Sequence, residues 1–423
     1  MSARGGEPSA REREPTEAVT TWRRVLVSRW ALVSLLALLY WTASHSLRPF
    51  VVVRLDELGA STQEVGLVAA AYAFLALFLA IPGGRAIDRL GSSRVLYVSL
   101  AAMAVLGVAY AFAETVLHLF LLQIANGVVE LGVWLAIQTL ATGAGRGDTL
   151  AKHLSLFSFM WGLGIAVGPT VGGLVYDRFG FSTLAFLYGG LAAAMLVALW
   201  FAPARPASGT VRGGRLGRDA WQTARAPSIR TVLLSSFVVM YVISIKSTFY
   251  PLALQDRGIS VPLIGVLLSI MGIASLAIRP LLPVLSRKLG AGTVLVAGTV
   301  VGVIGISLTP WLVHPALLVV LAVVTGAGYG SNPPVVMQLL TEHSADGNRG
   351  LVMGLRATAG RLAQVVQPLA FGGIAAVAGM AAAFPISGGV LLATVLVSRR
   401  DLMALRSHPT PAVGPAPPKG SRP

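Results

Sequence analysis

One carboxylate, Glu130, falls near the middle of a long apolar run. An ionisable group at that depth costs roughly 2.5–3.5 kcal/mol on insertion scales, so its presence points to a use. Gln123, Asn126, Glu130 and Trp134 follow at steps of three, four and four and share one helix face. Such a polar stripe must look onto a cavity or a partner helix. A carboxylate there can take up and release a proton, since burial favours its neutral form and a nearby cation its charged form. A permanent ion pair with Arg48, Lys246 or Arg361 is the alternative use of the same charge.

Trp41, His45 and Arg48 share a second face, with His45 as another proton-coupling candidate and Arg48-Pro49 as a local distortion. Arg48 can grip a ligand or snorkel to headgroups. Lys246 and Tyr250 stand one turn apart, as do Arg361 and Gln364. Tyr329 and Asn332 precede Pro333-Pro334, where a broken helix would expose backbone groups to a cavity. Arg279 and Arg356 lie nearer the helix ends and fit snorkelling or an ion pair between halves. With Glu130 the one acid among these residues, the apolar runs hold a surplus of four positive charges, which would suit an anion.

The chain has no cysteine, no Cys/His metal cluster, no nucleophile elbow and no Gly-x-x-x-x-Gly-Lys-Ser/Thr loop. No metal, cofactor or ATP-driven step is therefore expected, nor an enzyme. A membrane enzyme or a channel is a remote alternative.

The elements that position these residues are apolar runs long enough to cross a bilayer. In 423 residues, 55% are apolar and 12% charged, with a mean hydropathy of +0.74. Roughly 20 apolar residues span a hydrocarbon core of about 30 Å, and such runs recur along the whole chain. The fold class expected is an all-α polytopic membrane protein of twelve transmembrane helices in two six-helix bundles. The net charge of +16 would suggest nucleic acid in a soluble chain. Here 25 of the 33 Lys and Arg lie in the tails and even-numbered loops, whereas the odd-numbered loops hold Arg54, Arg178 and Arg257. That asymmetry places both termini in the cytoplasm and makes the charge an orientation signal, with no nucleic acid as partner. The first apolar run is too long for a cleaved signal peptide.

The organisation expected is a cytoplasmic tail over 1–28, a first half over 29–202, a linker over 203–230, a second half over 231–398 and a cytoplasmic tail over 399–423. The linker is rich in Pro, Gly and Arg and cannot bury a core. A constant offset of 199 residues supports the division. It matches Gly59 with Gly258, Ser61 with Ser260, Gly66 with Gly265, Gly91 with Gly290 and Gly127 with Gly326. Pro169 matches Pro368, Gly173 matches Gly372 and Gly180 matches Gly379. Gly and Pro fix backbone geometry, so the same fold is used twice as a parallel repeat.

The loop Gly84-Arg-Ala-Ile-Asp88-Arg89-Leu-Gly91-Ser-Ser-Arg94 resembles the loop signature of the major facilitator superfamily, with a worn copy at Arg287-Lys288-Leu289-Gly290. Gly164, Gly168, Pro169, Gly172 and Gly173 in the fifth span are similar to the motif of the superfamily's antiporters, drug exporters above all. Asp88 is placed to face a neighbouring helix N-terminus, with Arg89 pairing across the interface, and the resemblance implies a latch that biases which side is open. Glycines allow close helix approach, and Pro169 can bend the helix. Gln123 stands where the drug exporters often carry Arg, four residues before Gly127.

These observations lead to the expectation of a secondary transporter in a bacterial cell membrane, working as a monomer by alternating access. Proton-coupled export of small organic or drug-like compounds is the first reading, with the proton gradient as energy source. Trp41, Trp134 and Tyr250 beside the polar stripes fit it. A carrier that grips an organic anion with membrane Arg and Lys is the second.

Overall fold

The structure is a computed structural model that describes residues 29–142, 147–201, 227–343 and 349–406. The expected tail 1–28, residues 203–226 of the linker and the chain beyond 406 lie outside the described residues. All described elements are helical.

Helices α1 (Arg29–Glu57), α2 (Thr62–Leu90), α3 (Ser92–Ala111) and α4 (Val116–Thr142) come first. The segment Gly147–Phe201 bends at Gly180 into α5 (147–179) and α6 (181–201). In the second half, α7 (Pro227–Ser247) and α8 (Phe249–Gln255) form one crossing, broken at Thr248. The next crossing joins α9 (Val261–Ala277) to α10 (Leu282–Leu289) through a 3-10 turn over Arg279–Leu281. Proline at 280 and 283 removes two amide donors there, which is why the α-helix lapses. Then follow α11 (Ala291–Ser307), α12 (Pro315–Gly330) with α13 (Asn332–His343), α14 (Arg349–Ala378) and α15 (Met380–Arg406). The break expected before Pro333-Pro334 falls at Ser331. Helix α15 runs past 398, so part of the expected C-terminal tail is helical.

Nine described stretches are long and apolar enough to cross a membrane, and Lys152–Trp200 is long enough to cross twice. With α1 and α15, this gives twelve crossings. Outward faces carry exposed apolar residues such as Val98, Val105, Trp200 and Val377, a surface that hydrocarbon accommodates and water does not.

Among the described residues, every glycine with positive φ belongs to a pair 199 residues apart: Gly59 and Gly258 (75° and 74°), Gly91 and Gly290 (86° and 84°), and Gly180 and Gly379 (79° and 86°). A side chain makes that backbone costly, whereas glycine adopts it freely. The corners marked by the sequence repeat are thus the corners where the chain requires glycine.

The halves meet chiefly along two crossings, α2 on α14 and α5 on α9, with α1 also touching α8. A Cβ on Gly66 would collide with the Pro368 carbonyl, and one on Gly265 with the Pro169 carbonyl. These are one contact made twice, because both partners are related by the same offset. Both crossings lie towards the end of the molecule that carries the first and seventh interhelical loops. At α5 on α9, the Thr170 hydroxyl and amide also bond the Ser269 hydroxyl, at 2.7 and 3.0 Å.

Candidate functional site: a carboxylate caged by tyrosines

Glu130 is buried in the middle of α4, and three helices bring donors to it. Ser44 of α1 donates to Oε2 at 2.8 Å and Tyr72 of α2 to the same oxygen at 2.6 Å. Tyr188 of α6 reaches Oε1 at 3.0 Å, and Asn126 Nδ2 lies 3.5 Å from it, one turn back on α4. The Tyr40 hydroxyl adds a bond to the Glu130 backbone carbonyl at 3.2 Å and a long one to Oε2 at 3.5 Å. The close approach of α2 is local: Gly127 faces the Tyr72 carbonyl, with no space for a Cβ.

No ion pair holds Glu130. Among the described residues the ion pair formed is Arg54–Glu57, at 3.1 Å on the surface. The sequence alternative of a permanent pair with Arg48, Lys246 or Arg361 is therefore corrected, since hydroxyls fill the carboxylate's lone pairs instead. Arg48 instead lies over the Tyr72 ring, 4.2 Å from its centroid. Lys246 donates to the Tyr329 hydroxyl at 3.2 Å, and Arg361 to Gln364 at 3.4 Å. Among the described residues Arg279 and Arg356 form no ion pair between halves, and their Nε atoms are buried without a hydrogen-bond partner there.

The stripe on α4 divides. Gln123 accepts from Tyr110 at 3.1 Å and Asn126 from Tyr188 at 2.6 Å, both buried within the first half. Trp134 instead joins a box of indoles, with ring centroids 5.0 Å from Trp41 and 4.9 Å from Trp161; Trp41 and Trp161 are 5.6 Å apart. The His45 ring lies tilted against Trp41, with centroids 5.1 Å apart, and its Nδ1 is buried without a partner. In the second half, Asn332 donates to the Ser235 carbonyl at 3.4 Å, and the Tyr250 hydroxyl is buried and unpaired. Tyr329 and Glu130, repeat counterparts, each receive a hydrogen bond at membrane depth from a different partner type.

A sequence profile of the Major Facilitator Superfamily matches residues 31–244 and again 232–422. The chain belongs to the Major Facilitator Superfamily. This membership makes it an integral membrane transporter and not an enzyme, acting on a small molecule within a lipid bilayer. It is 25% identical to the multidrug resistance protein MdtG of Citrobacter koseri over 407 residues, covering 93% of this chain and 98% of that protein. It is also 25% identical to MdtG of Yersinia enterocolitica over 394 residues, 89% and 92% of the two chains. Among solved structures, the nucleoside transporter NupG superposes with a TM-score of 0.75 at 15% identity, covering 88% and 98%. A bacterial homologue of the human lysosomal transporter Spinster, inward-facing and occupied, gives 0.70 at 13%, covering 90% and 96%.

The superfamily motifs separate in the same way. Gly164, Gly168 and Gly172, at steps of four, face the Leu38, Thr42 and Ser46 carbonyls of α1, while Gly173 faces Val261 and Gly265 of α9. Pro169 lends its carbonyl to the crossing with Gly265. Gly84 and Gly91 have open space where a Cβ would stand. Asp88 and Arg89 are exposed and make no ion pair or side-chain hydrogen bond among the described residues. The described residues show no partner for the expected latch, and the opposite end of α2 is the one pressed on α14; Arg94 is exposed at the same corner.

Sequence reasoning missed Tyr40, Ser44, Tyr72, Tyr110 and Tyr188, along with Trp161. Tyrosine at lipid depth was the available signal, for a buried hydroxyl needs a partner.

Proposed function

We propose that the chain exports small organic or drug-like compounds in exchange for protons, by alternating access in the bacterial cytoplasmic membrane. It acts as a monomer with both termini in the cytoplasm, and the proton gradient supplies the energy without a cofactor. The observation that carries this reading is the placement of Tyr188. Its single hydroxyl hydrogen can go to Asn126 Oδ1 at 2.6 Å or to Glu130 Oε1 at 3.0 Å. With Glu130 ionised, Tyr188 donates to it. With Glu130 protonated, the carboxyl can donate to Tyr188, which then donates to Asn126. The carboxyl is therefore paired in either state, and only the Asn126 amide oxygen gives up its donor when Glu130 ionises. The multidrug-resistance names of the MdtG relatives support drug-like cargo.

The test is Glu130→Gln in proteoliposomes loaded with a fluorescent drug-like dye. Loss of acceleration by a pH gradient, with gradient-free exchange retained, is expected. Wild-type acceleration in the variant would sink the coupling role.

A second reading, an organic-anion carrier, is favoured by Arg48, Lys246 and Arg361 lacking a carboxylate partner. Exchange of an organic anion that no pH gradient accelerates, lost in Arg48→Ala, would support it over the first.

A further inference from the structure

We propose that the preferred ligand is a planar aromatic carboxylate, its ring in the indole box and its carboxylate on Arg48. The proposal rests on the export reading above for its direction and on geometry for its ligand. Trp41, His45 and Arg48 follow one face of α1 at steps of four and three. At 1.5 Å per residue this face runs about 10 Å from indole to guanidinium, the length of a fused two-ring acid. All three side chains are partly exposed. Trp134 and Trp161 wall its apolar end, with centroids 4.9 Å apart.

An indole box alone would attract a cation through the ring faces, but the charge beside it opposes one. The positive charge of Arg48 stands three residues from His45 on the same face of α1. The single carboxylate in reach, Glu130, already takes bonds from Ser44, Tyr72 and Tyr188. A carboxylate offers about four lone-pair sites, so little remains for a cationic ligand.

Donors, in contrast, are in surplus. The Nε1 atoms of Trp41 and Trp161 are buried without partners. Arg48 has the Tyr72 ring under it but no oxygen acceptor among the described residues. A ligand that brings acceptors and negative charge satisfies what the walls leave unsatisfied, and its flat ring lies against the indoles.

The experiment uses purified full-length protein with naphthoate, naphthylmethylammonium and cyclohexanecarboxylate, read by thermal stabilisation and tryptophan quenching without any gradient. Naphthoate should bind saturably and more tightly than both others. Arg48→Gln should weaken it by at least about tenfold, as loss of a desolvated charge partner does, with partial recovery in Arg48→Lys. Trp161→Leu, which leaves every cation in place, should weaken naphthoate but not cyclohexanecarboxylate. Equal or tighter binding of the ammonium compound, or unchanged naphthoate affinity in both Arg48→Gln and Trp161→Leu, overturns the proposal. The same compounds in proteoliposomes keep the two readings apart. Naphthoate binding without gradient-driven flux supports the ligand class and defeats proton coupling. Gradient-driven dye flux without naphthoate binding defeats the ligand class and leaves coupling standing.

Discussion

The guanidinium of Arg48 lies 4.2 Å from the centroid of the Tyr72 ring. The Tyr72 hydroxyl in turn donates a 2.6 Å hydrogen bond to Glu130. One aromatic ring thus stands between a cation and a carboxylate that would otherwise neutralise each other. An attractive pair in a low-dielectric interior would be hard to separate. With Tyr72 interposed, both charges remain free to respond to a proton or a ligand.

Tyr72→Phe keeps the ring under Arg48 and removes one donor from the Glu130 cage. A hydrogen bond to a charged group contributes about 1.5–3 kcal/mol, so the pH profile of gradient-driven flux should differ from that of the parent. An unmoved profile with normal folding would show that this hydroxyl has no part in coupling.

Lys246 is buried, and among the described residues its side-chain bond is to the neutral Tyr329 hydroxyl. Replacing an unpaired buried cation with an apolar side chain of similar length removes a desolvation cost. Lys246→Met should raise the melting temperature while transport falls, a trade of function for stability. A variant both less stable and fully active would contradict this.

The crossings at Gly66 on Pro368 and Gly265 on Pro169 leave no space for a methyl group. Gly66→Ala and Gly265→Ala should each destabilise this closed end by about 1–3 kcal/mol, the usual cost of overpacking. Since the chain has no cysteine, single cysteines introduced at Leu58 or Arg257 give a clean labelling readout. Both glycine variants should label faster there. Protection equal to the parent would mean that the halves can slide to accommodate the methyl.

At the same end, partial burial and the nearby Asp56 carboxylate hold the Asp256 carboxyl above its ordinary range. The native state then binds this proton more readily than the unfolded chain does. Stability attributable to this group falls as the pH rises through the window just above the usual carboxylate range, and is flat beyond it. Melting curves between about pH 4 and pH 6 should show that slope in the parent protein and a shallower one in Asp256→Asn.

The backbone plan was more legible in the sequence than the chemistry, for a physical reason. Gly59, Gly91 and Gly180 sit at corners with positive φ, as do their partners 199 residues on. Few other residues tolerate that conformation, so the repeat survives in the letters. Glu130 was also conspicuous, since a lone acid in an apolar run is costly. The cage around it was not, because Tyr40, Tyr72 and Tyr188 come from three different helices and read singly as ordinary apolar-run aromatics. Asp88 and Arg89 show the converse. Their motif is plain in the sequence, yet whether they touch a partner depends on how two rigid halves are tilted, which no local pattern encodes.

The two crossings between halves share their glycine and proline contacts but differ in one respect. Thr170 bonds Ser269 across α5 and α9, whereas α2 on α14 carries no side-chain hydrogen bond among the described residues. The repeat positions of that pair are Ala70 and Leu369, which can neither donate nor accept. One edge of the molecule is therefore tied and the other merely pressed together. The halves would part as a door does, swinging about the α5 and α9 edge while the α2 and α14 edge travels furthest. Tyr72, on the moving edge, would carry its grip on Glu130 with it.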